Sequence, residues 1–180
     1  EINNNDNFHH ALNINFPNKI KFKKNSSLDK MNENPDLLVL GISSKGIDWI
    51  SERISKVFNK DNLPKILMLT KGLNIHANKY ELLIDKLIRN LTKKKFSKIN
   101  ISAVGGPCLA SGLANKINSS VVIANKDIET ANWLKNILNT EYYHISTSTD
   151  VIGVEACAAI KNIFSMVIGA SMGISNENLK

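Results

Sequence analysis

Asp36-Leu37-Leu38-Val39-Leu40-Gly41-Ile42 decides the fold class, because it is a continuous apolar run of strand length. Strands buried on both faces, as in parallel sheets, have such runs, whereas half-exposed strands alternate apolar and polar residues. Apolar residues then recur at helical spacing, at Ile47, Ile50 and Ile54. A buried strand followed by an amphipathic helix predicts one unit of an α/β sheet.

The same alternation continues along the next hundred residues. Further strands are predicted at Ile66–Leu69, Ile99–Val104, Val121–Ala124 and Tyr142–Ile145. Helices are predicted at Tyr80–Leu91, at Pro107–Ala114 and after Asp127, which is a suitable N-cap. Strands and helices joined by short links predict a mostly parallel α/β sheet.

From Asp150 the pattern changes to one long helix that extends to Met172, with no further strand. We therefore predict a domain boundary near Thr147–Thr149, with one domain in residues 1–148 and a second beginning in residues 149–180. The helix is apolar enough to be mistaken for a membrane span. It carries Glu155, Lys161 and Asn162 near its middle, and charges are costly in lipid, so a buried helix of a soluble protein is expected.

Composition excludes some classes of protein. Two cysteines, Cys108 and Cys157, are too few for a disulfide scaffold, which favours a reducing cytoplasm, and no signal segment opens the chain. The net charge of +7 leaves open a non-catalytic nucleic-acid-binding α/β protein. Apart from Lys21–Lys24 and Lys93–Lys95, the basic residues are spread along the chain, so we expect no nucleic-acid partner.

Two segments directly follow predicted strands, where ligand crevices of open α/β sheets lie. One is Thr70-Lys71-Gly72-Leu73, and the other begins Gly105-Gly106-Pro107. The lysine can bind an anion, and backbone N–H groups beside the glycines can bind phosphate. The alternatives are a solvated lysine at a strand end and glycines that serve only a tight turn.

The third segment is DVIGVEACAAIKNI, from Asp150 to Ile163. On a helix, Lys161 shares its face with residues spaced three and four apart, namely Val154, Cys157, Ala158, Ser165 and Ile168. We expect this lysine to be buried, which would lower its pKa and make it a general acid or base. Alternatively, Lys161 extends to the surface or pairs with Glu155, and the cysteines only pack.

Together these segments, in this order, resemble the NAD(P)-dependent glycerol-3-phosphate dehydrogenase family from about Glu1 to about Lys180. The resemblance implies an incomplete Rossmann-like sheet followed by the first helix of an all-α C-terminal domain. This sequence contains no Gly-x-Gly-x-x-Gly motif, which the resemblance places before Glu1. The chain is therefore expected to be a fragment, truncated at both ends, whose parent carries the function.

The resemblance also implies roles for individual residues. Lys161 would be the proton donor and acceptor, and Lys71 would contact both substrate and cofactor. Gly106, Cys108 and Asn162 would bind substrate, although the family usually has Ser in place of the weaker donor Cys108. Ala110 would contact the dinucleotide.

The reaction implied is the interconversion of dihydroxyacetone phosphate and sn-glycerol 3-phosphate with NAD or NADP, feeding phospholipid synthesis. The parent would be cytoplasmic, with no membrane span, and a homodimer is possible. A related two-domain reductase acting on another small oxo acid is the alternative within the enzymes.

Overall fold

A computed structural model describes residues 7–24 and 34–177, with side chains described to residue 174. Its strands are β1 (Phe8–His9), β2 (Ile14–Asn15), β3 (Leu37–Leu40), β4 (Lys65–Met68), β5 (Leu73–His76), β6 (Lys79–Leu82), β7 (Ile101–Gly105), β8 (Ser119–Ala124) and β9 (Tyr143–Ser148). Its helices are α1 (Ile47–Val57), α2 (Leu83–Lys93), α3 (Ala110–Ala114), α4 (Ile128–Leu138) and α5 (Val151–Glu177).

The central sheet has the strand order β3-β4-β7-β8-β9. Within the described part of the chain, three of its pairings are parallel, and only β7 and β8 run antiparallel. The prediction of a mostly parallel α/β sheet is therefore confirmed. Among the described residues β3 lies at the edge of this sheet, while β1–β2 and β5–β6 form separate antiparallel hairpins.

The predicted helix Tyr80–Leu91 is wrong at its start. Tyr80 lies in β6, and α2 begins only at Leu83. Ala77 and Asn78 both have positive φ, at 50° and 60°, which is the backbone of a two-residue hairpin turn whose twist matches paired strands. The apolar residues of Leu83–Leu91 have helical spacing and form α2. The turn directly before Lys79 instead makes Lys79–Leu82 a strand, paired with β5. Similarly, the short helix predicted from Pro107 begins at Ala110.

Two apolar cores cover the two faces of the sheet. Along β4, Ile66 and Met68 belong to the core that includes residues of α1, α2 and α5, whereas Leu67 belongs to the other. In that second core Leu134 of α4 is fully buried. Asp127 caps α4 as predicted, because its carboxylate accepts the N–H of Glu129 at 3.1 Å. Each fully buried aliphatic side chain contributes about 1.5–3 kcal/mol to the free energy of unfolding. Because a core covers each face of the sheet, the strands are apolar on both faces, which accounts for their continuous apolar runs.

Helix α5 is only partly buried, contrary to the expectation of a buried helix. Its first turns pack on the sheet, with Val151, Glu155 and Ala158 buried, whereas the side chains from Lys161 to Ile174 are exposed. By length and composition alone α5 would also suffice to cross a membrane, which is weak evidence because core helices pass the same test. The division into two domains at residue 148 stays a prediction.

Candidate active site

Lys71 and Gly106 lie at the same edge of the sheet, as predicted. β4 and β7 are parallel neighbours, and the two residues follow their carboxyl ends. The Lys71 ammonium Nζ donates a hydrogen bond to the carbonyl oxygen of Gly106 at 3.3 Å. The lysine is exposed, so it is held at the crevice edge while remaining open to an anion.

The two glycines after β7 are required by packing. Gly106 has φ +136°, and a Cβ there would lie 2.8 Å from the carbonyl oxygen of Ser120 in β8. A Cβ on Gly105 would lie 2.9 Å from Val154 Cγ1 and 3.1 Å from the Val154 carbonyl oxygen. Gly105 therefore permits α5 to approach β7, and Gly106 turns the chain against β8. Both glycines therefore have a structural role, which sequence analysis gave as the alternative to phosphate binding.

A cavity of about 630 Å³ opens beside this turn. One wall is the segment Gly105–Pro107, and another is a single face of α5. The helix residues on that wall are Val154, Cys157, Ala158, Lys161 and Ser165. This is the face predicted for Lys161, except that Ile168 is 60% exposed and is not among the lining residues.

The burial predicted for Lys161 is wrong. Its side chain is exposed, because α5 extends beyond the sheet from about this residue and nothing in the described part of the chain covers it. The helical position and the direction towards the cavity are as predicted. The sequence pattern shows which face of the helix the lysine occupies, but not what packs against that face.

The start of α5 contributes polar groups that sequence analysis missed. Asp150 Oδ1 accepts the N–H of Gly153 at 2.8 Å, and Ser148 Oγ accepts the N–H of Asp150 at 3.0 Å. Ser148, Asp150 and Gly153 all line the cavity. A Cβ on Gly153 would collide with the Asp150 carboxylate. An Asp three residues before a glycine at a helix start is an N-cap signal that could have identified this group.

Glu155 occupies a role that the sequence did not indicate. Its side chain is 3% exposed, and its Oε1 accepts the N–H groups of Leu83 at 2.8 Å and Ile84 at 3.2 Å. Burial raises the pKa of this carboxyl to about 7, against the opposing effect of the two backbone hydrogen bonds. Glu155 therefore binds the first turn of α2, and the alternative in which it pairs with Lys161 is not what the structure contains. A glutamate on an otherwise apolar helix face is the sequence signal for a buried carboxylate, which needs hydrogen-bond donors from another part of the chain.

Four residues with predicted roles are not among those that line the cavity: Lys71, Cys108, Ala110 and Asn162. Cys108 is half-buried and packs against the second core, Ala110 begins α3 and is exposed, and Asn162 is exposed beside Lys161. Cys157, by contrast, is exposed on the cavity wall, so packing alone does not describe it. The substrate and cofactor roles of Cys108, Ala110 and Asn162 stay predictions.

Comparison with known proteins identifies the family of this chain. Residues 1–131 match the model of the NAD-dependent glycerol-3-phosphate dehydrogenase N-terminus. The NADP(+)-dependent glycerol-3-phosphate dehydrogenase of Archaeoglobus fulgidus is 31% identical over 83% of this chain and 43% of its own length. The glycerol-3-phosphate dehydrogenase [NAD(P)+] of Rickettsia bellii is 32% identical over 93% of this chain and 50% of its own length.

A solved structure of Plasmodium falciparum glycerol-3-phosphate dehydrogenase has the same fold, with a TM-score of 0.67 and 23% identity over 82% of this chain and 40% of that one. The chain thus spans about half the length of the curated relatives that it matches. The family match covers well over half of the chain, from its first residue to α4. The chain belongs to the NAD-dependent glycerol-3-phosphate dehydrogenase family, and it carries that family's N-terminal region.

Proposed function

We propose that the complete protein containing this chain interconverts dihydroxyacetone phosphate and sn-glycerol 3-phosphate with NAD or NADP. One observation carries the proposal: one lysine lines the cavity, and a second is hydrogen-bonded to the turn that forms part of its wall at the carboxyl end of β7. Lys161 and Gly106 both line the cavity, and Lys71 Nζ lies 3.3 Å from the Gly106 carbonyl oxygen. Family membership supports the same reaction.

The residues present fit one end of a nicotinamide dinucleotide. The cavity is largely apolar, lies beside the carboxyl end of β7, and has the size of a small-molecule site. We propose that Lys71 and Ala110 hold the nicotinamide end. The glycine-rich turn that binds a pyrophosphate in such folds is not within this sequence. The dinucleotide, when bound, supplies the hydride that is exchanged with C2 of the substrate.

The chain's own residues would handle the proton and the charge. Lys161 would donate a proton to the oxygen on C2 during reduction and accept it during oxidation. Lys71 would place positive charge beside that oxygen or the phosphate, where negative charge develops. Gly106, Cys108 and Asn162 would orient the substrate at the cavity mouth. Apolar residues such as Val154 and Ala158 would restrict water there.

The test is a nicotinamide absorbance assay on the complete protein encoded by the gene for this chain. Dihydroxyacetone phosphate is supplied with NADH or with NADPH in parallel, and an unphosphorylated oxo acid serves as the comparison substrate. We expect turnover of about 1 s⁻¹ or more with the phosphorylated substrate. Turnover only with the oxo acid would instead favour a related reductase, and no turnover with either would contradict the proposal.

The same proposal covers the setting of the enzyme. We place the complete protein in the cytoplasm, without a membrane span and without a nucleic-acid partner, as a possible homodimer that serves glycerophospholipid synthesis. The two free cysteines support a reducing compartment. Sedimentation of the complete protein, and fractionation of cells that express it, test the oligomeric state and the location.

A further inference from the structure

Helix α2 is capped by a residue from another helix. Leu82, which precedes it, offers no side-chain cap, and the first N–H groups of the helix would otherwise be unpaired. Glu155 Oε1 accepts two of these N–H groups from a position more than seventy residues later in the chain. A carboxylate also complements the positive end of the helix dipole.

The placement of Glu155 is not explained by stability alone. Its other oxygen, Oε2, is buried and has no hydrogen-bond partner among the described residues. Asp85, in the first turn of α2, adds negative charge nearby, and β7, which packs on α5, has no ionisable residue. Burying a carboxylate with one oxygen unpaired is costly, and a glutamine of the same shape would carry less cost.

Glu155 closes a ring of contacts that includes part of the cavity wall, at Gly105, Gly106 and Val154. Leu83, whose N–H it accepts, packs beside the loop that carries Lys71, because a Cβ on Gly72 would lie 3.7 Å from Leu83 Cδ1. Leu82 and Leu73 are partners across the β5–β6 hairpin, which fixes the same loop from the other side. Glu155 therefore holds the residue against which this loop packs.

The ring continues through the turn after β7. Lys71 Nζ donates to the Gly106 carbonyl oxygen. The neighbouring Gly105 is in close contact with Val154, which directly precedes Glu155 on α5. Each step of this ring is a contact between named groups, and it returns to the helix that carries Lys161.

We propose that Glu155 is a positioning residue for the reaction: by holding the start of α2 it sets where Lys71 lies relative to the cavity that Lys161 lines. The inference rests on the proposed function of those two lysines. It adds a group that does not touch the substrate, and that acts on Lys71 through Leu83 and Gly72. The length of the side chain at position 155, rather than its charge, should then determine activity, because the hydrogen bonds from Leu83 and Ile84 are what hold the loop.

The test uses the complete protein with two conservative variants. Glu155→Gln keeps an acceptor at the Oε1 position, whereas Glu155→Asp keeps the charge but is one methylene shorter. We expect Glu155→Gln to retain kcat/KM within about threefold and Glu155→Asp to lose about tenfold or more. Glu129→Gln is the matched control, because Glu129 is an exposed glutamate in the first turn of α4.

A double-mutant cycle separates positioning from a general loss of structure. In a Lys71→Ala background the effect of Glu155→Asp should fall to about twofold or less, since the group that it positions is gone. Amide hydrogen exchange supplies a readout without catalysis: Glu155→Asp should speed exchange at residues 71–73 as well as at Leu83 and Ile84, and Glu129→Gln should not.

Four outcomes would overturn the positioning role. They are equal effects of Glu155→Asp with and without Lys71, a Glu155→Gln variant as impaired as Glu155→Asp, a Glu129→Gln control as impaired as Glu155→Asp, and faster exchange confined to Leu83 and Ile84. An unchanged kcat/KM in Lys71→Ala would overturn both this inference and the proposed role of Lys71. A loss in Lys71→Ala with additive effects at Glu155 would leave the proposed function standing and remove only the positioning role.

Discussion

Gly105 and Val154 are in such close contact that no side chain fits between them: a Cβ on Gly105 would lie 3.1 Å from the Val154 carbonyl oxygen and 2.9 Å from its Cγ1. The valine side chain can rotate away, but its backbone cannot move without α5. We expect Gly105→Ala to lower the free energy of unfolding by about 1–3 kcal/mol, the usual cost of overpacking. Urea unfolding of the complete protein measures this.

The control for this substitution is Gly112→Ala in α3. The nearest atom to a Cβ there is Ile117 Cβ at 3.9 Å, which is ordinary contact. Alanine also favours helix over glycine, so this variant should be unchanged or slightly more stable. Equal stability of both variants would show that α5 does not depend on the close approach at Gly105.

Lys161 is the proposed proton donor, and its removal should affect turnover far more than folding. In the complete protein Lys161→Ala should lower kcat by about 10² or more, the common scale for a general acid–base group. Its exposed side chain predicts little change in unfolding. Lys135→Ala, at an exposed site on α4, is the matched control. Near-normal turnover with Lys161→Ala would remove this lysine from the mechanism.

The sequence predicted the sheet well because buried parallel strands leave a strong local signal. Leu37–Leu40 and Lys65–Met68 lie within or beside the predicted apolar runs, and their neighbours along the sheet follow the same rule. The edge shared by Lys71 and Gly106 could be predicted too, since strand direction alone fixes it. The β5–β6 hairpin was missed because its turn at Ala77 and Asn78 lacks the glycine that usually marks such turns.

Burial at the candidate site could not be predicted in the same way. The periodicity of α5 placed Val154, Cys157 and Lys161 on one face correctly, but periodicity does not say what covers a face. Glu155 was assigned a possible partner six residues away, whereas its donors lie on α2. Contacts between residues distant in the chain depend on packing, and a single sequence carries little local signal for them.

Glu155 should make stability depend on pH. Its folded pKa, about 7, lies above the ordinary value of 4.5, because burial disfavours the carboxylate. The contribution of the Glu155 carboxyl to the free energy of unfolding is therefore fully present below pH 4.5 and is lost as the pH rises through 7. Relative to wild type, Glu155→Gln should therefore gain stability between pH 5 and pH 8, by up to about 3 kcal/mol. Urea unfolding at both pH values measures it, with the exposed Glu129→Gln as control. A pH-independent difference for Glu155→Gln would contradict the raised pKa.

These 180 residues expressed alone should associate and should not catalyse the reaction. Large apolar side chains on the outer part of α5 are more than half exposed, including Phe164 at 59%, Met166 at 73% and Ile168 at 60%. Clustered apolar surface of this kind promotes association. Strand β3, which has no further neighbour among the described strands, adds a sheet edge. The sequence also lacks the glycine turn that would hold the dinucleotide, and catalysis cannot act on a cofactor that is not bound.

Sedimentation velocity and the nicotinamide assay test the two parts of this prediction separately. Phe164→Glu combined with Ile168→Lys should reduce association, because both positions lie on the exposed part of α5. Tyr80→Glu, which changes an 82% exposed aromatic residue on the β5–β6 hairpin, should leave association unchanged. If the double variant sediments like the unmodified chain, α5 is not the associating surface. Turnover of about 1 s⁻¹ or more by the 180 residues would mean that they contain a complete site, since that is an ordinary enzymatic rate.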